Sequence, residues 1–172
     1  MMDQLTGLAG RNEFLRWLER AGRTVSGIYL DIDGFNGVTY TFGHLEGDRI
    51  LTELGSWLAQ RASSLGLEPF RVGGDEFLLT GNALTGDRAW EIANDLVRES
   101  QTLGFPYAHP LKTRTVFSLS AVIFPAKSAD HGQLRESLDQ LDTSLYLSKQ
   151  ATGRDFGVVA SAETVEFPQS SD

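Results

Sequence analysis

Cysteine is absent from the 172 residues of this chain. A disulfide framework and a thiolate zinc site are therefore excluded, and a reducing cytoplasm is the default location. No stretch approaches the roughly 18 to 20 apolar residues that span a bilayer, and the start lacks the basic and then apolar order of a signal peptide. We expect a cytoplasmic segment without direct membrane contact, whose parent protein can still carry a membrane anchor elsewhere.

Basic side chains are also scarce, with 15 lysines and arginines against 23 aspartates and glutamates and a net charge of −8. Proteins that bind nucleic acid without sequence preference gain most of their affinity by neutralising phosphates. This composition argues against a nucleic-acid partner, whereas a small, metal-chelated phosphate ligand suits it. Hydrophobic residues make up 41% of the chain, enough for a single core. We expect one domain over residues 1–162 and a polar, loosely ordered tail or linker over 163–172.

Hydrophobic periodicity predicts alternating helices and strands. Apolar residues at helical spacing indicate helices over 12–21, 47–65, 87–103 and 134–152. Runs of β-type residues predict strands over 26–32, 116–124 and 156–160, and a hairpin over 69–80 with Gly73 and Gly74 at its turn. Strands joined by helical crossovers and one hairpin indicate a mixed sheet with helices packed over it. The predicted fold is a palm-like α/β sandwich.

Acidic side chains gather at two points of this predicted sheet. Asp31 and Asp33 end the first strand, and Asp75 and Glu76 lie at the hairpin turn. If the central strand lies beside the hairpin, the two groups meet at one edge. Magnesium prefers one or two carboxylates with water and phosphate in its other positions, so this edge predicts a metal site that bears a triphosphate. Simpler interpretations stay open, because Asp-x-Asp alone is more often a solvated turn and Gly-Gly alone is a hairpin turn.

Several segments together carry a resemblance to a known family. VGGDEF at 72–77 is the full signature of the GGDEF domains, which are diguanylate cyclases. DQLTGLAGRNEF at 3–14 resembles the opening motif of that family, and KQATGRD at 149–155 resembles its closing motif. LDIDGF at 30–35 and FGHLEGD at 42–48 fall between them in the family's order. Motifs in register over nearly the whole chain make a chance match improbable.

The resemblance implies an adenylyl-cyclase or ferredoxin-like palm, with a mixed, mainly antiparallel sheet of about five strands flanked by helices. It implies a nucleotidyltransferase of bacterial second-messenger signalling that condenses two GTP molecules to cyclic di-GMP as a two-fold homodimer. Magnesium, or manganese, would be held by Asp31, Asp75 and the carbonyl of Ile32. Catalysis would involve Asp75, Glu76 and Asn36, with Glu76 supporting the metal or the deprotonation of the 3′-hydroxyl.

The same resemblance implies a nucleotide-binding set. Asp48 matches the carboxylate that reads guanine, and His44 lies near the base or sugar. Lys149 and Arg154 match a basic pair that contacts the phosphates, although cations at a helix C-terminus are an equally ordinary arrangement. The set is completed by Phe35, Thr39 and Gly74.

The sequence departs from the family where Asn36, Thr39 and Tyr40 stand in place of the usual lysine and Asn-Asp pair. Neutral Asn36 cannot offset the negative charge that develops on the transferred phosphoryl group, and the hydroxyl of Thr39 cannot replace an amide that reads guanine. Ser64 and Leu67 replace the arginine and aspartate of the family's inhibitory product site. We expect reduced activity and no feedback inhibition at that site.

Three functions therefore stay open. The first is a magnesium-dependent diguanylate cyclase of reduced activity. The second is a catalytically degenerate GTP-binding module that regulates an adjacent domain, such as an EAL-type phosphodiesterase. The third is an inert scaffold that keeps only the fold. The intact signature and metal carboxylates favour the first two, and we expect the parent chain to carry an adjacent sensor or EAL-type domain.

Overall fold

The computed structural model describes residues 1–21, 25–102, 104–105, 115–116 and 118–170. Leu103 and Phe117, which belong to one predicted helix and one predicted strand, fall outside these ranges. The helices and strands follow one another in the order α1 (Arg11–Ala21), β1 (Val25–Ile32), α2 (Phe35–Phe42), α3 (His44–Leu65), β2 (Glu68–Arg71), β3 (Glu76–Thr80), α4 (Gly86–Thr102), β4 (Gly104–Phe105), β5 (Thr115–Val116), β6 (Leu119–Ala129), α5 (Leu134–Thr152), β7 (Val159–Ser161) and β8 (Val165–Pro168).

One sheet forms the centre of the fold, with the strand order β2-β3-β1-β6-β7 and with β8 also paired to β6. The pairs β1 with β3, β1 with β6 and β2 with β3 are antiparallel, whereas β6 is parallel to both β7 and β8. The short strands β4 and β5 pair only with each other. The prediction of a palm-like, mixed and mainly antiparallel sheet is confirmed, with six strands instead of five.

Helices cover both faces of the sheet and bury two apolar clusters. Ile28 and Leu30 of β1 belong to the cluster under α3 and α4, whereas Tyr29 between them belongs to the cluster under α1 and α5. This alternation follows from the period of two in a strand, which sends successive side chains to opposite faces. A central strand buried on both faces is thereby held in a fixed position, and so is the loop that follows it. No helix in the described part of the chain is long and apolar enough to cross a membrane.

The expectation of a loosely ordered tail is wrong over Val165–Pro168, which form β8 beside β6. Val165 and Phe167 are buried, and the Phe167 ring packs edge-on against Phe14 with centroids 4.9 Å apart. Glu166 between them points to solvent, so the segment has the alternation of a half-buried strand. An alternating pattern with only two apolar residues is too short to distinguish a strand from a polar tail in the sequence.

Helix α2 is also absent from the predicted elements, and α3 begins before the predicted start at residue 47. The sequence of α2, FNGVTYTF, consists of glycine, asparagine, β-branched and aromatic residues, all of which have low helix propensity. Packing against α3 compensates for this, because a Cβ at Gly47 would lie 2.6 Å from Thr39 Cγ2 and 3.2 Å from Phe35 Cζ. The glycine therefore permits the close approach of the two helices. Strand β7 covers residues 159–161 and not 156–160, since Gly157 has a φ of 67°.

Candidate active site

A cavity of about 320 Å³ opens where β1, the β2–β3 hairpin and α5 meet. We refer to it as the acidic cavity, because most of its wall is carboxylate. Its lining residues are Asp31, Asn36, Asp75, Glu76, Arg135, Asp139 and Asp142. The first four were predicted as site residues from the sequence, and the structure brings them together here.

Strand pairing explains why the two predicted acidic groups meet. Antiparallel pairing of β1 with β3 sets Asp31 opposite Glu76. The hairpin turn is closed by the amides of Val72 and Gly73, which donate to the carbonyl of Glu76 at 2.9 and 3.3 Å. Asp75 at this turn is consequently placed beside Asp31, and both carboxyl groups line the acidic cavity.

The Asp31–Asp75 pair is electrostatically unfavourable when both groups are ionised. Burial, and after it the charge of Asp75, raises the pKa of Asp31 to about 9. At neutral pH and without metal, Asp31 therefore keeps its proton. A divalent cation would replace that proton and remove the repulsion, because metal ligands bind in their deprotonated form.

The donor set fits magnesium. No group of three or more histidine, cysteine, aspartate or glutamate side chains is arranged to hold a metal ion among the residues that the structure describes. Magnesium does not require such a cage, because it is usually held by one or two carboxylates and keeps water or phosphate in its other positions. Asp31 and Asp75 supply the carboxylates, and the backbone carbonyl of Ile32 follows directly.

Glu76 is the most buried carboxylate of the acidic cavity, with 6% of its surface exposed. Arg135 bridges both of its oxygens, with Nη1 donating to Oε1 at 3.0 Å and Nη2 donating to Oε2 at 2.8 Å. The hydroxyl of Tyr29 donates to Oε2 at 3.0 Å. These hydrogen bonds occupy the carboxylate, and the bond to Glu76 raises the pKa of Arg135 above its usual range.

Tyr29 links Glu76 to a further acid. Its hydroxyl is also within hydrogen-bonding distance of Asp142 Oδ1, and one hydroxyl proton serves one acceptor at a time. Burial raises the pKa of Asp142, with a further contribution from the charge of Glu76. Burial likewise raises the pKa of Tyr29, which stays protonated and keeps a hydrogen bond available between the two carboxyl groups.

Sequence reasoning did not find Tyr29, Arg135, Asp139 or Asp142. The last three lie on α5 at positions i, i+4 and i+7, so they share one helix face. Arg135 Nε donates to Asp139 Oδ1 at 2.9 Å along that face. Their spacing could have predicted that they share a face of a helix, but whether that face points to the acidic cavity depends on how α5 packs on the sheet.

Asp33 has a different environment from Asp31, although both stand in one Asp-x-Asp. Its Oδ1 accepts from Ser120 Oγ at 2.7 Å and from Lys149 Nζ at 2.9 Å. Its Oδ2 accepts from Ser118 Oγ at 2.6 Å and from the amide of Gly157 at 2.9 Å. Four donors satisfy this carboxylate, so Asp33 ties the end of β1 to β6, α5 and the loop before β7.

The predicted phosphate-binding pair does not line the acidic cavity. Lys149 is engaged with Asp33, as described above. Arg154 donates to the carbonyl of Gly157 at 3.2 Å and lines a separate cavity of about 340 Å³, next to Trp90 of α4. In this structure neither cation faces Asp75.

The remaining predicted nucleotide-binding residues lie on the α2–α3 helix pair and at the hairpin. Phe35 and Thr39 pack against Gly47, and the exposed His44 and Asp48 share a face of α3 at i and i+4. Gly74 is exposed at the hairpin, where its carbonyl accepts from Arg71 Nη2 at 2.8 Å. Arg71 also forms an ion pair with Asp3. Burial acts to raise the pKa of Asp3, but hydrogen bonds from Thr6 and Arg71 outweigh it and lower that pKa below its ordinary value.

The fold and the site together define an α/β domain with a palm-like sheet and a pair of carboxylates beside a glycine-containing hairpin. Comparison with known families identifies the family to which this domain belongs. The family described as "Diguanylate cyclase, GGDEF domain" matches residues 1–155. The chain therefore belongs to the GGDEF domain family, whose enzymes are nucleotidyltransferases of cyclic di-GMP signalling.

Curated relatives agree with this assignment. The chain is 31% identical over 160 residues to the response regulator PleD of Caulobacter vibrioides, covering 88% of this chain and 34% of the relative. It is 31% identical over 163 residues to the diguanylate cyclase DgcS of Shewanella oneidensis, covering 90% of this chain and 51% of the relative. The chain thus spans between about a third and a half of the length of these relatives.

Solved structures show the same fold. The GGDEF domain of DgcB from Caulobacter crescentus, solved in complex with c-di-GMP, superposes with a TM-score of 0.74 at 24% identity, covering 95% of this chain and 93% of that one. The GGDEF domain of FimX from Pseudomonas aeruginosa superposes with a TM-score of 0.72 at 15% identity, covering 94% of this chain and 98% of that one.

Proposed function

We propose that this domain condenses two GTP molecules to cyclic di-GMP with magnesium, acting as a two-fold dimer at a reduced rate. The meeting of Asp31 and Asp75 in the acidic cavity is the observation that carries the proposal. Burial and the charge of Asp75 raise the pKa of the half-buried Asp31, so a divalent cation that binds between the two carboxyl groups would replace the Asp31 proton and relieve their repulsion. We propose the substrate and the reaction from the diguanylate cyclases among the relatives.

The reaction consists of two equivalent phosphoryl transfers. The 3′-oxygen of one GTP attacks the α-phosphorus of the other, a P–O bond forms, and the bond to the β-phosphate oxygen breaks. Pyrophosphate leaves, and the 3′-hydroxyl proton passes to a carboxylate or to water. A second transfer in the opposite direction closes the ring. Catalysis of this kind depends on positioning and charge stabilisation more than on covalent chemistry by the protein.

Asp31, Asp75 and the Ile32 carbonyl would hold the metal, which would neutralise triphosphate charge and favour the ionised 3′-oxygen. Asn36 lines the same cavity and would donate a hydrogen bond to a phosphate oxygen. We assign the guanine to the α2–α3 helix pair, where the exposed His44 and Asp48 present one polar face.

A dimer follows from the number of reacting groups. One carboxylate pair serves one triphosphate, whereas the product contains two guanosine units. Two domains that face each other, each holding one GTP, satisfy this requirement. A C2 arrangement makes the two transfers equivalent.

The proposal is tested by incubating the chain with GTP and Mg²⁺ at high concentration and separating the products by chromatography. Formation of cyclic di-GMP that is lost in Asp75→Asn supports a cyclase. Asp95→Asn is the matched control, because this exposed acid of α4 pairs with Arg98 and does not line the acidic cavity. GTP-dependent thermal stabilisation without product, also lost in Asp75→Asn, would indicate a GTP-binding regulatory module instead.

A further inference from the structure

The two hydrogen-bond partners of Glu76, Arg135 and Tyr29, differ in how firmly they are held. Arg135 contacts both oxygens of Glu76, but its own side chain is 52% exposed. Solvent screens an ion pair with such an exposed member, and the long arginine side chain loses conformational freedom when it forms. This contact alone would let the carboxylate move together with the guanidinium.

Tyr29 is the rigid partner, because its ring lies inside the core. The residue has no exposed surface and packs in the apolar cluster under α1 and α5. Tyrosine also has fewer rotatable side-chain bonds than glutamate, so close packing fixes its position. Its hydroxyl donates to Glu76 Oε2 at 3.0 Å and lies within hydrogen-bonding distance of Asp142 Oδ1. The hydroxyl is therefore a fixed point between β3 and α5.

The other oxygen of Glu76 lies against the hairpin turn. A Cβ at Gly73 would lie 2.0 Å from Glu76 Oε1, so the carboxylate occupies space that only a glycine leaves open. Contact of Oε1 with Gly73 and of Oε2 with Tyr29 together define the orientation of the carboxylate plane. In that orientation Glu76 lines the acidic cavity with Asp31 and Asp75.

We infer that Tyr29 is a positioning residue for Glu76, whose carboxylate its hydroxyl holds in the orientation that the reaction requires. This inference rests on the proposed function. A reacting group that is oriented before the substrate binds lowers the barrier, and a displacement of about 1 Å can cost about 100-fold in rate. The ring of Tyr29 stabilises the core, whereas the hydroxyl serves the site.

Tyr29→Phe separates these two contributions, because it keeps the ring and removes the hydroxyl. With GTP and Mg²⁺, kcat should fall about tenfold while the KM for GTP changes by less than about twofold, since the substrate contacts remain. The matched control is Tyr146→Phe, the same chemical change at a tyrosine that is 61% exposed and does not line the acidic cavity. Its kinetics should equal those of the wild type. A kcat in Tyr29→Phe equal to that of the wild type overturns the inference.

A second measurement does not depend on turnover. The carboxyl-carbon NMR resonance of Glu76, assigned by its loss in Glu76→Gln, is recorded in the whole chain without nucleotide. It should shift in Tyr29→Phe, because the carboxylate loses a donor, and stay in place in Tyr146→Phe. An unchanged resonance in Tyr29→Phe overturns the inference. If the wild type forms no cyclic di-GMP, the proposed function fails, and this resonance still decides whether Tyr29 orients Glu76.

The wild type alone provides the test if Tyr29→Phe does not fold. A buried hydroxyl that donates to a carboxylate exchanges its proton with water slowly. In an equal mixture of H₂O and D₂O, the Cζ resonance of Tyr29 should therefore split into a protonated and a deuterated form, as that of the exposed Tyr146 should not. A single averaged Tyr29 resonance overturns the inference.

Discussion

Lys149 Nζ lies 2.9 Å from Asp33 Oδ1, and the two side chains retain 21% and 7% of their exposure. The lysine of the closing motif is thus the counter-ion of the second aspartate of the Asp-x-Asp. Asp33 follows the last residue of β1 and lies two positions from Asp31. The pair therefore supports the strand end that carries the proposed metal ligand.

Removing this lysine should destabilise the domain. Lys149→Met leaves Asp33 with three neutral donors and a charge without its partner, and we expect a loss of about 2 kcal/mol in the free energy of unfolding. Urea denaturation measures the change. Lys127→Met is the control, since Lys127 lies 3.9 Å from Glu166 with both side chains about 60% exposed. The control should lose less than about 0.5 kcal/mol, and equal losses would contradict the assigned role of Lys149.

The raised pKa of Asp31 predicts how stability depends on pH in the absence of metal. Below about pH 4 the residue is protonated in both the folded and the unfolded chain. Between about pH 4 and its folded pKa of about 9, the unfolded chain releases the proton and the folded chain keeps it. The unfolded state therefore binds fewer protons, and stability falls as pH rises through this window.

Asp31→Asn should abolish that part of the pH dependence. In EDTA, the melting temperature of the variant should exceed that of the wild type at pH 8, and the difference should shrink towards pH 4. Mg²⁺ should raise the melting temperature of the wild type, increasingly so up to about pH 9, because binding releases the proton. If the difference in melting temperature between the variant and the wild type does not change with pH, the raised pKa of Asp31 is contradicted.

The two glycines of the signature should differ in their tolerance of alanine. A Cβ at Gly73 would overlap Glu76 Oε1, and Glu76 cannot move aside without breaking its bonds to Arg135 and Tyr29. We expect Gly73→Ala to cost about 1 to 3 kcal/mol. Gly74→Ala meets no atom within 4 Å, and its unfolding free energy should change by less than about 0.5 kcal/mol. Chemical denaturation of both variants compares them directly.

Strand β8 should contribute strongly to stability. Phe167 is fully buried, and its ring contacts Phe14 and Phe124 with centroids 4.9 and 5.9 Å away. Phe167→Ala should cost about 3 to 5 kcal/mol by creating a cavity. Glu166→Ala on the solvent side should remain within about 0.5 kcal/mol of the wild type. If the two variants unfold alike in urea, β8 is not part of the core.

The sequence was sufficient for the features that local pattern determines. Apolar periodicity predicted four helices and the central strands, and the antiparallel pairing of β1 with β3 makes the meeting of Asp31 and Asp75 a direct consequence of topology. Sequence motifs added the α2–α3 segment as a nucleotide-binding candidate. They did so without predicting α2 itself, because its helix depends on packing against Gly47 and not on propensity.

Partner choice among charged residues could not be predicted in the same way. Lys149 and Arg135 lie on one helix, and nothing in their spacing says which carboxylate each one contacts. That depends on the rotation of α5 about its axis, which is fixed by the burial of Leu138, Leu141 and Leu145. The wall formed by Arg135, Asp139 and Asp142 follows from this rotation. Tertiary packing therefore determines which carboxylates Arg135 and Lys149 contact, and the sequence motifs do not specify these partners.

Ion pairs connect helix α5 to the sheet near both of its ends. Arg135 near its start holds Glu76, and Lys149 near its end holds Asp33, about 21 Å further along the axis at 1.5 Å per residue. Two ion pairs on one helix restrict its rotation about its own axis as well as its distance from the sheet. Asp139 and Asp142 lie between these two contacts, so their backbone positions are set before the proposed nucleotide binds and binding would require little reorganisation of the helix.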